Sequence, residues 1–126
     1  MLGGRWMIEK IATVAVYVEN QEAAEDFWVK QVGFVTKEKR QMGPNAYWLE
    51  VAPEEADTHL VIYPNSMMPD AADRKPSIVF VCNDVEQVYN QMKENGVPFT
   101  GEPQKMQWGT FVQFQDNEGN EYLLKS

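Results

Sequence analysis

Few side chains in this sequence can act on another molecule, and their counts narrow the options at once. His59 is the one histidine and Cys82 the one cysteine. Sites built on two or three imidazoles of one chain are therefore excluded, as are an internal disulfide and any multi-cysteine zinc or iron–sulfur centre. Cys82 adjoins Asn83 and Asp84, an acidic setting that disfavours a thiolate, so it reads as an inert thiol. His59 alone reads as a structural or surface residue. Glu54, Glu55 and Asp57 read as a solvated turn, while Glu121 stands by itself near the end of the chain, where it can serve as a base or a counter-charge. Tyr17, Tyr47, Trp48 and Trp108 can clamp a planar group or a cation, or simply fill a core. No spacing sets a nucleophile beside its base.

The chain that must position these groups has 126 residues, 44% hydrophobic and 24% charged, enough for one compact core. A net charge of −8 speaks against nucleic acid and against an anionic membrane surface, both of which attract clustered positive charge. Seven methionines suit a reducing compartment, no apolar run reaches the length of a membrane span, and no secretory signal opens the chain. A cytoplasmic location is expected. Residues 1–6 read unlike the rest of the chain and are expected to be a disordered leader, a tag remnant or the result of a start placed too early.

From residue 11 a β-branched run to Val18 predicts a strand, closed by Glu19 and Asn20. Asn20 can cap a helix whose Ala23, Ala24, Phe27, Trp28 and Gln31 recur at helical spacing, and Gly33 can end it. Three strands come next, at 34–40, at 46–51 after Gly43-Pro44-Asn45, and at 59–63. A stretch from Pro64 to Pro76 without periodicity reads as a surface connection. The pattern then repeats. A strand is predicted over 77–82, a helix capped by Asn83 or Asp84 carries Val85, Val88, Tyr89 and Met92, Gly96 stops it, and Phe99 begins a further element. Strands at 108–115 and 121–125 complete the second half. Thr13 and Ser77 stand 64 residues apart, as do Asn20 and Asp84, which points to internal duplication.

Two βαβββ modules in tandem resemble the vicinal oxygen chelate superfamily of glyoxalases, bleomycin resistance proteins and dioxygenases. The likeness rests on the 11–20 strand leading into Phe27-Trp28, on Val32-Gly33-Phe34, on the 77–85 strand and cap, on Trp108-Gly109, and on Asp116-Asn117-Glu118-Gly119-Asn120. It implies an α+β fold in which eight strands form a strongly curved mixed sheet around a cavity, with helices outside. Module one would span about 8–63, the connector about 64–75 and module two about 76–126. The positions of the family's metal ligands map to Thr13, Val61, Ser77 and Leu123. Two aliphatic groups and two neutral hydroxyls offer a transition metal almost nothing, so no metal and no other cofactor are expected.

Period-2 alternation then assigns the lining: Thr13, Ala15 and Tyr17, Val61 and Tyr63, Ser77, Val79 and Val81, and Glu121 and Leu123, with Trp108 nearby. Val14, Val16, Ile62, Ile78, Phe80, Tyr122 and Leu124 would face the helices, while the facing of strand 46–51 stays open. Such a lining suits a small organic ligand, neutral or cationic and with an aromatic part, since strand positions facing the cavity carry no arginine or lysine except Lys125 at the rim. The expected function is binding or sequestering that ligand without metal chemistry. The alternative is a lyase, an isomerase or a dioxygenase-like enzyme of the same superfamily. Exposed sheet edges, together with the resemblance, imply a homodimer.

Overall fold

The computed structural model describes residues 7–126, and the leader expected at 1–6 lies outside them. The element order is β1 (Thr13–Val18), α1 (Gln21–Asp26), β2 (Val35–Gly43), β3 (Ala46–Ala52), β4 (His59–Pro64), β5 (Val79–Val81), α2 (Val85–Glu94), β6 (Gln104–Met106), β7 (Gly109–Gln115) and β8 (Glu121–Lys125). The strands form two four-stranded mixed sheets with orders β1-β4-β3-β2 and β5-β8-β7-β6. In each sheet the first and last strands of the module run parallel and the remaining pairs antiparallel. The same order recurring in both halves is what a duplication produces.

Local chemistry explains the helices. The Asn20 side chain accepts from Ala23 N at 3.0 Å, and Asp84 accepts from Gln87 N in the equivalent place, so each helix starts on a side-chain cap. Beyond Asp26 the first helix widens into a π-type turn over Phe27–Val32, ended by Gly33 at φ 96°. Trp28, in that turn, is fully buried, and its ring lies 5.1 Å from those of Phe27 and Tyr122 and 5.8 Å from that of Phe80. A helix of the first half thus packs into the sheet of the second. Val16, Ile62, Tyr122 and Leu124 are buried and Val14, Ile78 and Phe80 pack against them, as alternation predicts.

Two segments depart from the pattern read in sequence. The strand expected over 77–82 pairs regularly only at Val79–Val81, because Pro76 lacks an amide and the chain before it is a connector of two short 3₁₀ turns. Phe99 makes a single bridge to Phe114, and the next strand waits until Gln104, since Pro98, Gly101 and Pro103 interrupt the ladder.

Polar ties join the halves. Gln31 donates to Asn95 O and Asn95 donates to Gln31 O, both at 3.1 Å, and the two residues are themselves 64 apart. The Glu118 carboxylate accepts from Glu19 N at 2.8 Å and from Asn20 N at 2.9 Å. Its turn is held by Asp116, a buried carboxylate that takes four hydrogen bonds, from Glu118 N, Asn120 N, Asn120 Nδ2 and the Tyr122 hydroxyl.

Candidate functional site

The faces turned away from the core carry the candidate residues, on two different sheets. On the second sheet, Val79 pairs with Leu123, Leu123 with Gln113, and Val81 with Lys125, so all five side chains share a face. A cavity of about 560 Å³ opens there, with Ser77, Glu121 and Leu123 among its walls and Lys75 at its margin. A second, of about 470 Å³, contains Trp108, Met106 and Phe111 and shares Gln113 and Leu123 with the first. Val81 is 76% exposed, Trp108 70% and Val79 54%, an unusual amount of apolar surface for one sheet face. Gly109 is required beside Trp108. Its φ is 141°, and a β-carbon there would stand 2.6 Å from Ser126 O.

On the first sheet, register aligns Thr13 with His59, Ala15 with Val61 and Tyr17 with Tyr63. Glu50 is opposite Val61, which settles the facing of β3: Trp48 and Glu50 lie on this face, Tyr47 and Leu49 on the other. The rings form a row, Tyr17 edge-on to Tyr63 at 6.0 Å and Trp48 edge-on to Tyr63 at 6.1 Å. Beside them Glu50 Oε2 accepts from Trp48 Nε1 at 2.7 Å, and Glu50 Oε1 lies 2.7 Å from His59 Nδ1. Burial alone would push the Glu50 carboxyl up, but hydrogen bonds from His59 and Trp48, with the charges of His59 and Arg40, outweigh it and hold the group below its ordinary 4.5. Arg40 is itself paired with Glu38.

Of the lining residues read from sequence, the structure brings Ser77, Val79, Glu121 and Leu123 together, with Trp108 next to them and Val81 on the same face. It sets Thr13, Tyr17, Val61 and Tyr63 on the other sheet, where Val61 is buried and Tyr17 also borders a groove along the connector with Arg74 and Lys75. Alternation says which side of a strand a residue takes, and not which two faces share a cavity. Sequence reasoning missed Lys75, which lies in an unpatterned stretch, and the Glu50–His59 pair, which depends on the β3–β4 register. Cys82 is half-buried, and burial first, then the Asp84 charge, pushes its thiol up, in keeping with an inert group.

The metal positions do not fit a metal. Thr13 and Val61 lie on one sheet, Leu123 lies on the other and Ser77 just ahead of β5, with neutral hydroxyls and aliphatic groups as their only chemistry. No group of three or more His, Cys, Asp or Glu suited to an ion occurs among the described residues. No helix among them is long and apolar enough to cross a membrane.

Two tandem βαβββ units with this strand order define a family, and the chain belongs to it: residues 10–123 match the model of the Glyoxalase/Bleomycin resistance protein/Dioxygenase superfamily. It is 56% identical over 119 residues to YetH of Bacillus subtilis (strain 168), described as uncharacterized, with 94% of this chain and 99% of YetH aligned. Among solved structures, a member of the same superfamily from Sphaerobacter thermophilus DSM 20745 superposes with a TM-score of 0.84 at 31% identity, covering 95% of this chain and 98% of the other. TnmS3, an antibiotic binding protein from Streptomyces sp. CB03234, superposes with a TM-score of 0.79 at 33% identity, covering 95% and 97%.

Proposed function

We propose that this protein binds and sequesters a small organic molecule on its two open sheet faces, without metal chemistry. The observation that carries this is the second-sheet face, where Val79, Val81 and Trp108 are exposed around adjoining cavities whose walls mix apolar side chains with a few polar groups such as Ser77, Gln113 and Glu121 that can orient a ligand. The likeness to an antibiotic binding protein supports the same reading. A planar ligand, neutral or cationic, matches the rings of Tyr17, Tyr63 and Trp48 on one face, and that of Trp108 on the other, where Glu121 supplies a carboxylate. Lys75, and Lys125 poised 5.8 Å over the Phe111 ring, add positive charge to the second face and so favour a neutral ligand there.

Two half-lined faces on separate sheets also support a homodimer in which each copy covers what the other leaves open, and the seven methionines support a cytoplasmic setting. Native mass spectrometry of the purified protein, with identification of any copurifying small molecule, tests the binding reading. Titrating aromatic compounds against tryptophan fluorescence, with Trp108→Phe as control, extends the test. Absence of any response across neutral, cationic and anionic compounds would refute the reading. Light scattering should give twice the chain mass of 14.5 kDa.

A further inference from the structure

The Glu50–His59 pair has no part in the fold's core and lies on the face of the first sheet turned away from it. Both Glu50 oxygens are spent, one on Trp48 Nε1 and one on His59 Nδ1, and the side chains of Glu50 and His59 are only 15% and 24% exposed. A carboxylate accepts, so Nδ1 must carry the proton in this bond and Nε2 is left as the working nitrogen. Among the described residues Nε2 makes no hydrogen bond. The pair shares its face with the aromatic row of Trp48, Tyr63 and Tyr17, and the Trp48 ring that touches Glu50 is the one lying edge-on to Tyr63.

We infer that His59 Nε2 is an anchor for a planar ligand bearing an acidic hydroxyl, a phenol or an enol. Neutral imidazole accepts a hydrogen bond from such a hydroxyl. If the proton crosses, the O–H bond breaks, an N–H bond forms at Nε2, and the imidazolium between Glu50 and the ligand's oxyanion donates along the same line. An acidic hydroxyl is thus matched in either protonation state, whereas a carbonyl is matched only by the protonated ring and an ether only weakly by that same form. The groups that set the charge around the imidazole are Glu50 and Trp48 on β3, Arg40 and its partner Glu38 on β2, and Thr13 alongside it on β1. Because the Trp48 and Tyr63 rings are edge-on at 77°, stacking on one with edge contact to the other supplies the rest of the contact.

This inference rests on the binding reading above and adds the class of ligand for one face. Equilibrium dialysis of the full-length protein against 4-nitrophenol and its methyl ether, 4-nitroanisole, tests it. The phenol should bind at least about tenfold more tightly than the ether, the worth of one hydrogen bond to a group held by a charge. His59→Phe should bring the ratio to about one, and the wild-type ratio needs no variant to fold. Equal binding of phenol and ether would overturn the anchor and leave the binding reading intact. A phenol preference that survives His59→Phe would overturn it too, by placing the preference elsewhere. Binding of neither compound would overturn the anchor and count against the binding reading as well.

Discussion

Asp116 touches no candidate ligand, yet its removal should be felt at the candidate site. The residue is 3% exposed and its two oxygens hold Glu118 N at 2.8 Å, Asn120 N at 3.0 Å, Asn120 Nδ2 at 3.0 Å and the Tyr122 hydroxyl at 2.8 Å. In Asp116→Ala the two backbone amides sit in a surface turn and can turn to water, at about 1 kcal/mol for the pair. The Tyr122 hydroxyl cannot, because that residue is 2% exposed, and stranding it costs about 2 kcal/mol. With the lost amide bond of the Asn120 side chain, the total is about 4 kcal/mol, a large share of the 5–15 kcal/mol typical of a domain. Tyr122→Phe removes one donor while the carboxylate keeps three, for about 1.5 kcal/mol.

The double variant is the decisive member of this set. With no hydroxyl left to strand, it should cost about 2 kcal/mol rather than the sum of about 5.5, a coupling of about 3.5 kcal/mol. Urea denaturation monitored by circular dichroism measures all three. Because Asn120 and Glu121 border the larger cavity and Glu118 ties the turn to Glu19 and Asn20, Asp116→Ala should also weaken any ligand bound against Ser77 and Leu123. Additivity within about 0.5 kcal/mol would refute the network reasoning, since it would mean that the hydroxyl finds another partner when Asp116 is gone.

Trp28 Nε1 is buried without a partner among the described residues, so Trp28→Phe relieves an orphan donor worth about 1–3 kcal/mol while opening a small cavity of similar cost, and should be neutral within about 1 kcal/mol. Trp28→Ala should cost about 4 kcal/mol in the same urea assay, and a large loss for Phe would reveal a hidden acceptor. Glu50 is held below its ordinary 4.5, so its contribution is present above that value and is lost as pH falls through the lower folded one; Glu50→Gln should flatten the acid limb of the stability profile measured by denaturant midpoint. The Tyr122 hydroxyl is driven far above its ordinary 10, by burial first and the Asp116 charge second, so its contribution is present below pH 10 and is lost as pH rises beyond it, and Tyr122→Phe should soften the alkaline limb. Zn²⁺, Ni²⁺, Co²⁺ or Mn²⁺ should leave the melting temperature unchanged, and elemental analysis finding one ion per chain would refute the donor-set argument.

The repeat of capped helix and strands was legible in the sequence because its signals are local. Asn20 and Asp84 cap through side chains three residues from their targets, Gly33 ends its helix by its own backbone freedom, and Val16, Ile62, Tyr122 and Leu124 announce the core face by alternation. The poor fit of Thr13, Val61, Ser77 and Leu123 to a metal was legible too, since donor chemistry is a property of residue type. What tertiary structure alone decided is which of these faces meet. Eight strands divide into two sheets, and so the lining expected as one set falls into two; Lys75 reaches a cavity from a connector that has no periodicity; Trp28 crosses from one half into the sheet of the other. The Glu50–His59 pair is the sharpest instance. The two residues are nine apart across a loop, and a slip of one position in the β3–β4 register would turn the carboxylate to the opposite face, because a side chain's side is fixed by its neighbours along the strand whereas its partner is fixed by pairing across it.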